Sequence, residues 1–150
     1  MKVNYQKILE ETLSAAAQAA VRPKLVLHAC CAPCASYVLE YLSPYFDISI
    51  FYFNPNVYPP QEYSRRLEEL RRMLKDMDST AVLIEGAYEP HIFSKIAHGH
   101  ESDAERGPRC SLCYALRLEE TAKQAAKDGF DYFATTLSIS PHKDAAKLNE

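Results

Sequence analysis

At 150 residues, with 47% hydrophobic and 25% charged side chains, the chain fits a single domain over 1–150 with its own core and no need of disulfides. The net charge of −3 argues against a nonspecific nucleic-acid coat, though it permits a local basic patch. No segment approaches the roughly 18 apolar residues of a membrane span, and residues 5–21 carry Glu10 and Glu11 where a secretory signal would be uniformly apolar.

In chain order, residues 1–22 hold an alanine-rich amphipathic helix that ends near Pro23. Segment 24–29 (KLVLHA) is a short apolar run of the kind a buried strand shows. Pro33 suits the first turn of a helix that buries Val38, Leu39 and Leu42 and stops before Pro44. Segment 47–53 (DISIFYF) is β-branched and aromatic, a second strand, and the polar loop NPNVYPP follows it. Tyr63, Leu67, Leu70, Leu74 and Met77 then recur at helical period. Segment 80–84 predicts a third strand, and 86–107 is irregular with helix potential around 90–97. A helix is expected from Pro108 to Asp128, with Leu118, Ala122 and Ala125 on one face and Gly129 as its stop. Segment 130–136 is a fourth strand, and Ser140-Pro141 reads as a helix cap leading into KDAAKLNE. Alternation of strands and helices predicts an α/β fold, a parallel sheet flanked by helices.

Five cysteines, an odd number in a chain with ample core, point to reduced thiols in a cytoplasmic protein rather than a disulfide scaffold. They fall in two groups, Cys30, Cys31 and Cys34 in HACCAPC, and Cys110 and Cys113 in RCSLC. Each group contains a C-x-x-C, the spacing by which two thiolates from one turn reach a common metal. The first group sits where strand hands over to helix, at the carboxyl edge where parallel sheets bind ligands. The second lies in the opening turns of a helix, where thiolate is favoured. Three chemistries compete: an iron–sulfur cluster, a four-thiolate structural zinc, and a thioredoxin-like dithiol that leaves three cysteines idle. The four glycines form neither a G-x-G-x-x-G nor a P-loop, which disfavours nucleotide hydrolysis or dinucleotide binding.

HACCAPC, FYFNPNVYPPQEYSRR at 51–66, RCSLCYALRLEETA at 109–122 and FATTLSISPHKD at 133–144 together resemble the QueH-type epoxyqueuosine reductases, in the same order and spacing over about residues 24–147. The resemblance implies a Rossmann-like sheet similar to the adenine-nucleotide α-hydrolase fold without its phosphate loop. It also implies a [4Fe-4S] cluster with an additional iron ion, and makes Cys30, Cys31, Cys34, Cys110 and Cys113 the metal candidates. The implied activity is reduction of epoxyqueuosine to queuosine at the wobble position of tRNA, fed by an external one-electron donor protein. Family members carry a Tyr-Cys-Gly-Cys type motif near their C-terminus that this sequence lacks, so a truncated C-terminal end is expected. Rival readings are another iron–sulfur tRNA-modifying enzyme, acting in sulfur transfer or removal, and a zinc-stabilised binding domain without chemistry.

Further candidates lie on the same sheet edge. Asn54, Asn56 and Tyr58 follow the second strand and are candidates to hold the nucleoside, although NPN also simply makes turns. Thr136, Ser140 and His142, after the fourth strand, are candidate proton or hydrogen-bond donors. Arg65 and Arg66 are candidates for tRNA phosphates, and Glu62–Arg66 and Glu68–Arg72 are equally ordinary i,i+4 pairs. His28 reads as a satisfied core histidine, and His98, His100 and Asp103 as a solvated loop rather than a metal cluster.

Overall fold

The computed structural model describes residues 4–99 and 108–136, except for the side chains of Tyr5, Ile92, Ile96 and residues 108–111. Within those residues the chain runs α1 (Tyr5–Gln18), β1 (Lys24–His28), α2 (Ala32–Leu42), β2 (Asp47–Tyr52), α3 (Pro60–Asp76), β3 (Val82–Glu85), α4 (Pro90–Ala97), α5 (Pro108–Asp128) and β4 (Tyr132–Thr135). The parallel α/β arrangement expected from the alternating pattern is present. All four strands are parallel, in the order β3-β2-β1-β4.

Period-2 alternation sorts the strand side chains between two layers. Leu25, Leu27, Ile48, Ile50 and Tyr52 face one side, where Leu13 of α1, Leu39 of α2 and Leu67, Leu70 and Leu74 of α3 complete the main core. Val26, Phe51 and Phe53 face the other side and meet Ala125, with Leu116 of α5 beside it. Met77, the last residue of the expected stripe, caps α3 and is exposed instead of packed. The third strand begins at Val82, two residues later than its apolar run suggested.

Local chemistry sets the helix ends. The Asn4 side chain accepts a hydrogen bond from the Lys7 amide at 3.0 Å and caps α1. Pro60 opens α3 at its first position, where a missing amide hydrogen costs nothing. Gly129 takes φ 72° after α5, and Phe130 N–H returns to Ala125 O at 2.9 Å, closing the helix in a left-handed turn. Topology then fixes the site. From β1 the chain moves outward to β2 and β3, and afterwards returns to place β4 on the opposite flank of β1. The strand order therefore reverses between β1 and β4, and open parallel sheets bind ligands outside the carboxyl ends of strands at such a point.

Candidate metal centre

The loop leaving β1 is tied down before its first cysteine. Ala29 N–H donates to Phe51 O at 3.1 Å, and Thr136 N–H donates to His28 O at 3.0 Å, so both neighbouring strands grip the exit. Asn54, fully buried, donates from Nδ2 to Ala29 O at 2.9 Å. His28 lies beneath, also fully buried. Its Nε2 stands 2.9 Å from Phe53 O, a group that can only accept, so Nε2 carries the proton and Nδ1 receives the Thr135 hydroxyl at 3.1 Å. Burial, and then the charge of Arg117, push the His28 pKa down to about 3, which keeps the ring neutral. It is the satisfied core histidine expected from the sequence.

Beyond this anchor Cys31 is the N-cap of α2 in extended backbone (φ −158°, ψ 160°), and Pro33 occupies the first turn. Cys30, Cys31 and Cys34 are all half-buried thiols, and the Cys30 thiol donates to Cys31 Sγ at 4.0 Å. That hydrogen bond, followed by burial, pushes the Cys30 pKa well up. The same bond, assisted by the Arg66 charge and opposed by burial, brings Cys31 down to about 5. Burial and the Cys31 charge raise Cys34. The arrangement favours thiolate at Cys31 over its two neighbours, at a helix N-terminus that adds to the preference.

From the opposite layer comes α5, which carries the second group. Cys113 is buried there, and Tyr114, 3% exposed, packs against Cys30 and Leu118. Arg117, one turn further along, is 2% exposed and reaches Asn54 Oδ1 with Nη1 at 3.4 Å. The Thr121 hydroxyl donates to Arg117 O at 2.7 Å, and Cys113, Arg117 and Thr121 form one stripe at i,i+4 spacing. Through Tyr114 and Arg117, α5 therefore presents an aromatic ring and positive charge to the Cys30 loop.

The profile of the family described as "Epoxyqueuosine reductase QueH" matches residues 25–150. The chain belongs to this family. Relatives named epoxyqueuosine reductase QueH from Staphylococcus epidermidis and Staphylococcus aureus are 41% and 39% identical over 99% of the chain, which spans 65% of their length. The relative of that name from Streptococcus pyogenes serotype M1 is 36% identical over 99% of the chain, and the chain spans 60% of it.

Within this QueH-family frame the expected site residues divide clearly. Cys30, Cys31 and Cys34 lie together at the start of α2, Cys113 is buried on α5 beside the Tyr114 that packs on Cys30, and Cys110 lies in the first turn of α5 with its side chain outside the described residues. Asn54 is wholly internal and spends its amide on Ala29 and Arg117. Asn56 is half-buried, with an Oδ1 that has no described partner, and Tyr58, 74% exposed, is the part of the loop open to a ligand. Thr136 is buried beside the β1 exit, and its Oγ1 has no described partner. Ser140, His142, His100 and Asp103 lie outside the described residues. Arg65 and Arg66 both pair with Glu62, as an i,i+4 reading of Arg66 foresaw, whereas Glu68 pairs with Arg71 and not with Arg72.

Sequence reasoning passed over Arg117 and Tyr114. The available signal was phase: Arg117 follows Cys113 by four residues, which commits a charged side chain to the sulfur-bearing face of a helix. Among the described residues no three His, Cys, Asp or Glu side chains already surround one point. The donor set is still suited to a sulfur-ligated centre. Three soft thiols stand together at the end of β1, the Tyr114 ring packs on Cys30, and a buried guanidinium, Arg117, is tied to the same loop through Asn54.

Proposed function

We propose that this chain is the catalytic part of a cytoplasmic oxidoreductase that reduces epoxyqueuosine to queuosine at the wobble position of tRNA. In this reading Cys30, Cys31, Cys34, Cys110 and Cys113 hold a [4Fe-4S] cluster and an additional iron ion. The observation that carries it is the packing of Tyr114, neighbour of Cys113, directly on Cys30, at the sheet's reversal point in a chain of the QueH family. No helix among the described residues is long and apolar enough to cross a membrane.

Removing an epoxide oxygen requires two electrons and two protons and releases water. Cys30, Cys31, Cys34, Cys110 and Cys113 would hold the cluster and iron, which would contribute single electrons from an external one-electron donor protein and Lewis acidity. The rest falls to the chain. The His28–Asn54 anchor fixes the cysteine loop, so that the sulfurs hold their places without reorganisation. Exposed Tyr58 offers an aromatic face on which an unstacked anticodon base can stack. Among the described residues Arg66 bonds Glu62 through Nε, and its charge reaches Cys31, so its other guanidinium N–H groups can serve a phosphate beside the site.

Iron and acid-labile sulfide content with an absorption spectrum, on protein purified without oxygen, is the first test, followed by turnover of epoxyqueuosine-containing tRNA. Several irons with matching sulfide and product formation are expected. One zinc and no sulfide, even after reconstitution, would instead make the cysteines a structural zinc site. Activity with zinc alone would sink the role of iron. For the nucleic acid, Arg66→Ala is expected to weaken tRNA binding and lower the salt slope by about one, with Arg65→Ala less affected. Unchanged affinity and slope in both would remove this patch from the interface.

A further inference from the structure

Arg117 is the least compensated charge of the described core. Its side chain is 2% exposed, Nε is buried without a hydrogen-bond partner, and its single described side-chain bond goes to a neutral amide at 3.4 Å. No carboxylate pairs with it among the described residues. Removing a guanidinium from water without an opposite charge costs far more than one long hydrogen bond returns. A guanidinium is also a fixed charge, so the molecule cannot escape that cost by deprotonation. Compensation has to come from an anion, and the surroundings narrow the choice. Among the described residues His28 has both ring nitrogens engaged by Phe53 and Thr135, Asn54 is an amide, Thr121 is engaged with the helix backbone, and Asn54 ties the guanidinium to the loop that carries Cys30, Cys31 and Cys34.

We propose that Arg117 is a positioning residue whose fixed positive charge offsets the sulfur-ligated centre and makes it easier to reduce. The inference rests on the cysteines being cluster ligands, as argued under the proposed function. Each reduction adds one electron, taken from the external donor, to a centre already made anionic by its thiolates. A buried cation within its field stabilises the more negative state, the more so in a low dielectric. No proton moves on Arg117. Asn54 holds the guanidinium by Oδ1 and the cysteine loop by Nδ2, and so sets the distance between charge and sulfur.

The test is an anaerobic redox titration followed by electron paramagnetic resonance, with dithionite as the reductant, on the reconstituted wild-type chain and three variants. Arg117→Gln removes the charge, Arg117→Lys keeps it, and Asn54→Asp supplies the missing carboxylate while leaving Arg117 in place. Arg117→Gln is expected to disfavour the reduced form at least tenfold at a fixed potential, about 59 mV for a one-electron couple, with iron and sulfide content retained. Asn54→Asp should act in the same direction, and Arg117→Lys should stay near wild type. If Arg117→Gln does not fold, Arg117→Met, which removes the charge and needs no hydrogen bond, decides in its place. A wild-type midpoint in Arg117→Gln and Asn54→Asp would overturn the inference, as would equal shifts in Arg117→Gln and Arg117→Lys. A wild-type chain that takes up no iron and sulfide would overturn the ligand reading itself, and this inference with it. Loaded variants with an unmoved midpoint would leave the ligand reading intact.

Discussion

The outer face of α3 and the cysteine end of α5 both carry arginine, under opposite conditions. Arg65 on α3 has a side chain 57% exposed and lies between two carboxylates, Glu62 and Glu69. Arg117 on α5 is buried, and among the described residues its side chain bonds one neutral amide. The better-paired arginine matters less. Exposed ion pairs are screened by water and salt and hold flexible side chains still for little return. A buried polar group with few partners makes each of those partners costly to remove.

That contrast breaks first at the apolar underside of α3. If the helix is held by its inner stripe and not by its ladder of ion pairs, Leu70→Ala should cost about 2–5 kcal/mol in urea unfolding, since Leu70 is fully buried in the main core. A loss below about 1 kcal/mol would return α3's stability to its charged face. On the other side, Asn54→Leu should cost about 1–3 kcal/mol, because Ala29 O and Arg117 lose a partner together. A neutral result would mean that the knot of His28, Asn54 and Arg117 does not hold the cysteine loop.

Apolar periodicity made most of the fold readable in the sequence. Leu67, Leu70 and Leu74 could face only one way, and the β-branched run at 47–53 could hardly be anything but a strand. Cysteine spacing revealed the two sulfur groups, because thiols from a single turn leave a fixed local signature. What periodicity does not encode is which residues of different elements meet. Strand order put β4 beside β1, and so put Thr135 against His28 across more than a hundred residues of chain. The same topology turned Asn54 inward. A residue that reads as a ligand-binding turn became a strut, because its amide satisfies a buried carbonyl in the loop of the neighbouring strand. Tyr58, further along the same loop, is exposed instead.

Smaller effects sharpen the comparison at the loop between β2 and α3. Tyr88 donates its hydroxyl to Val57 O at 2.6 Å and stacks on Tyr63 at 3.8 Å between ring centroids. Tyr88→Phe keeps the stack and deletes the hydroxyl, so a loss of about 0.5–1.5 kcal/mol is expected, smaller than that of Asn54→Leu because the site is only half-buried. An equal or larger loss would place the loop's main support at α4's approach and not at the cysteine knot.

The least effect should come from the charged face of α3, and its pH dependence gives it a signature. Hydrogen bonds from Arg65 and Arg66 hold the Glu62 carboxyl down to about 2, against an ordinary value of 4.5. A carboxyl whose folded pKa is depressed binds fewer protons folded than unfolded between those two values, so stability rises with pH across that window. The contribution of Glu62 is therefore complete above about pH 4.5 and disappears as the pH falls through about 2. Glu62→Gln should flatten that part of the acid limb of a thermal-unfolding profile, lowering the midpoint slightly above about pH 4.5 and not at all once the pH has fallen through about 2. Raising the salt concentration should shrink the difference between variant and wild type, since these charges stand in water. A large, salt-independent drop at neutral pH would show that the Glu62 carboxylate works as part of a sheltered site, and the division between the two arginine environments would no longer hold.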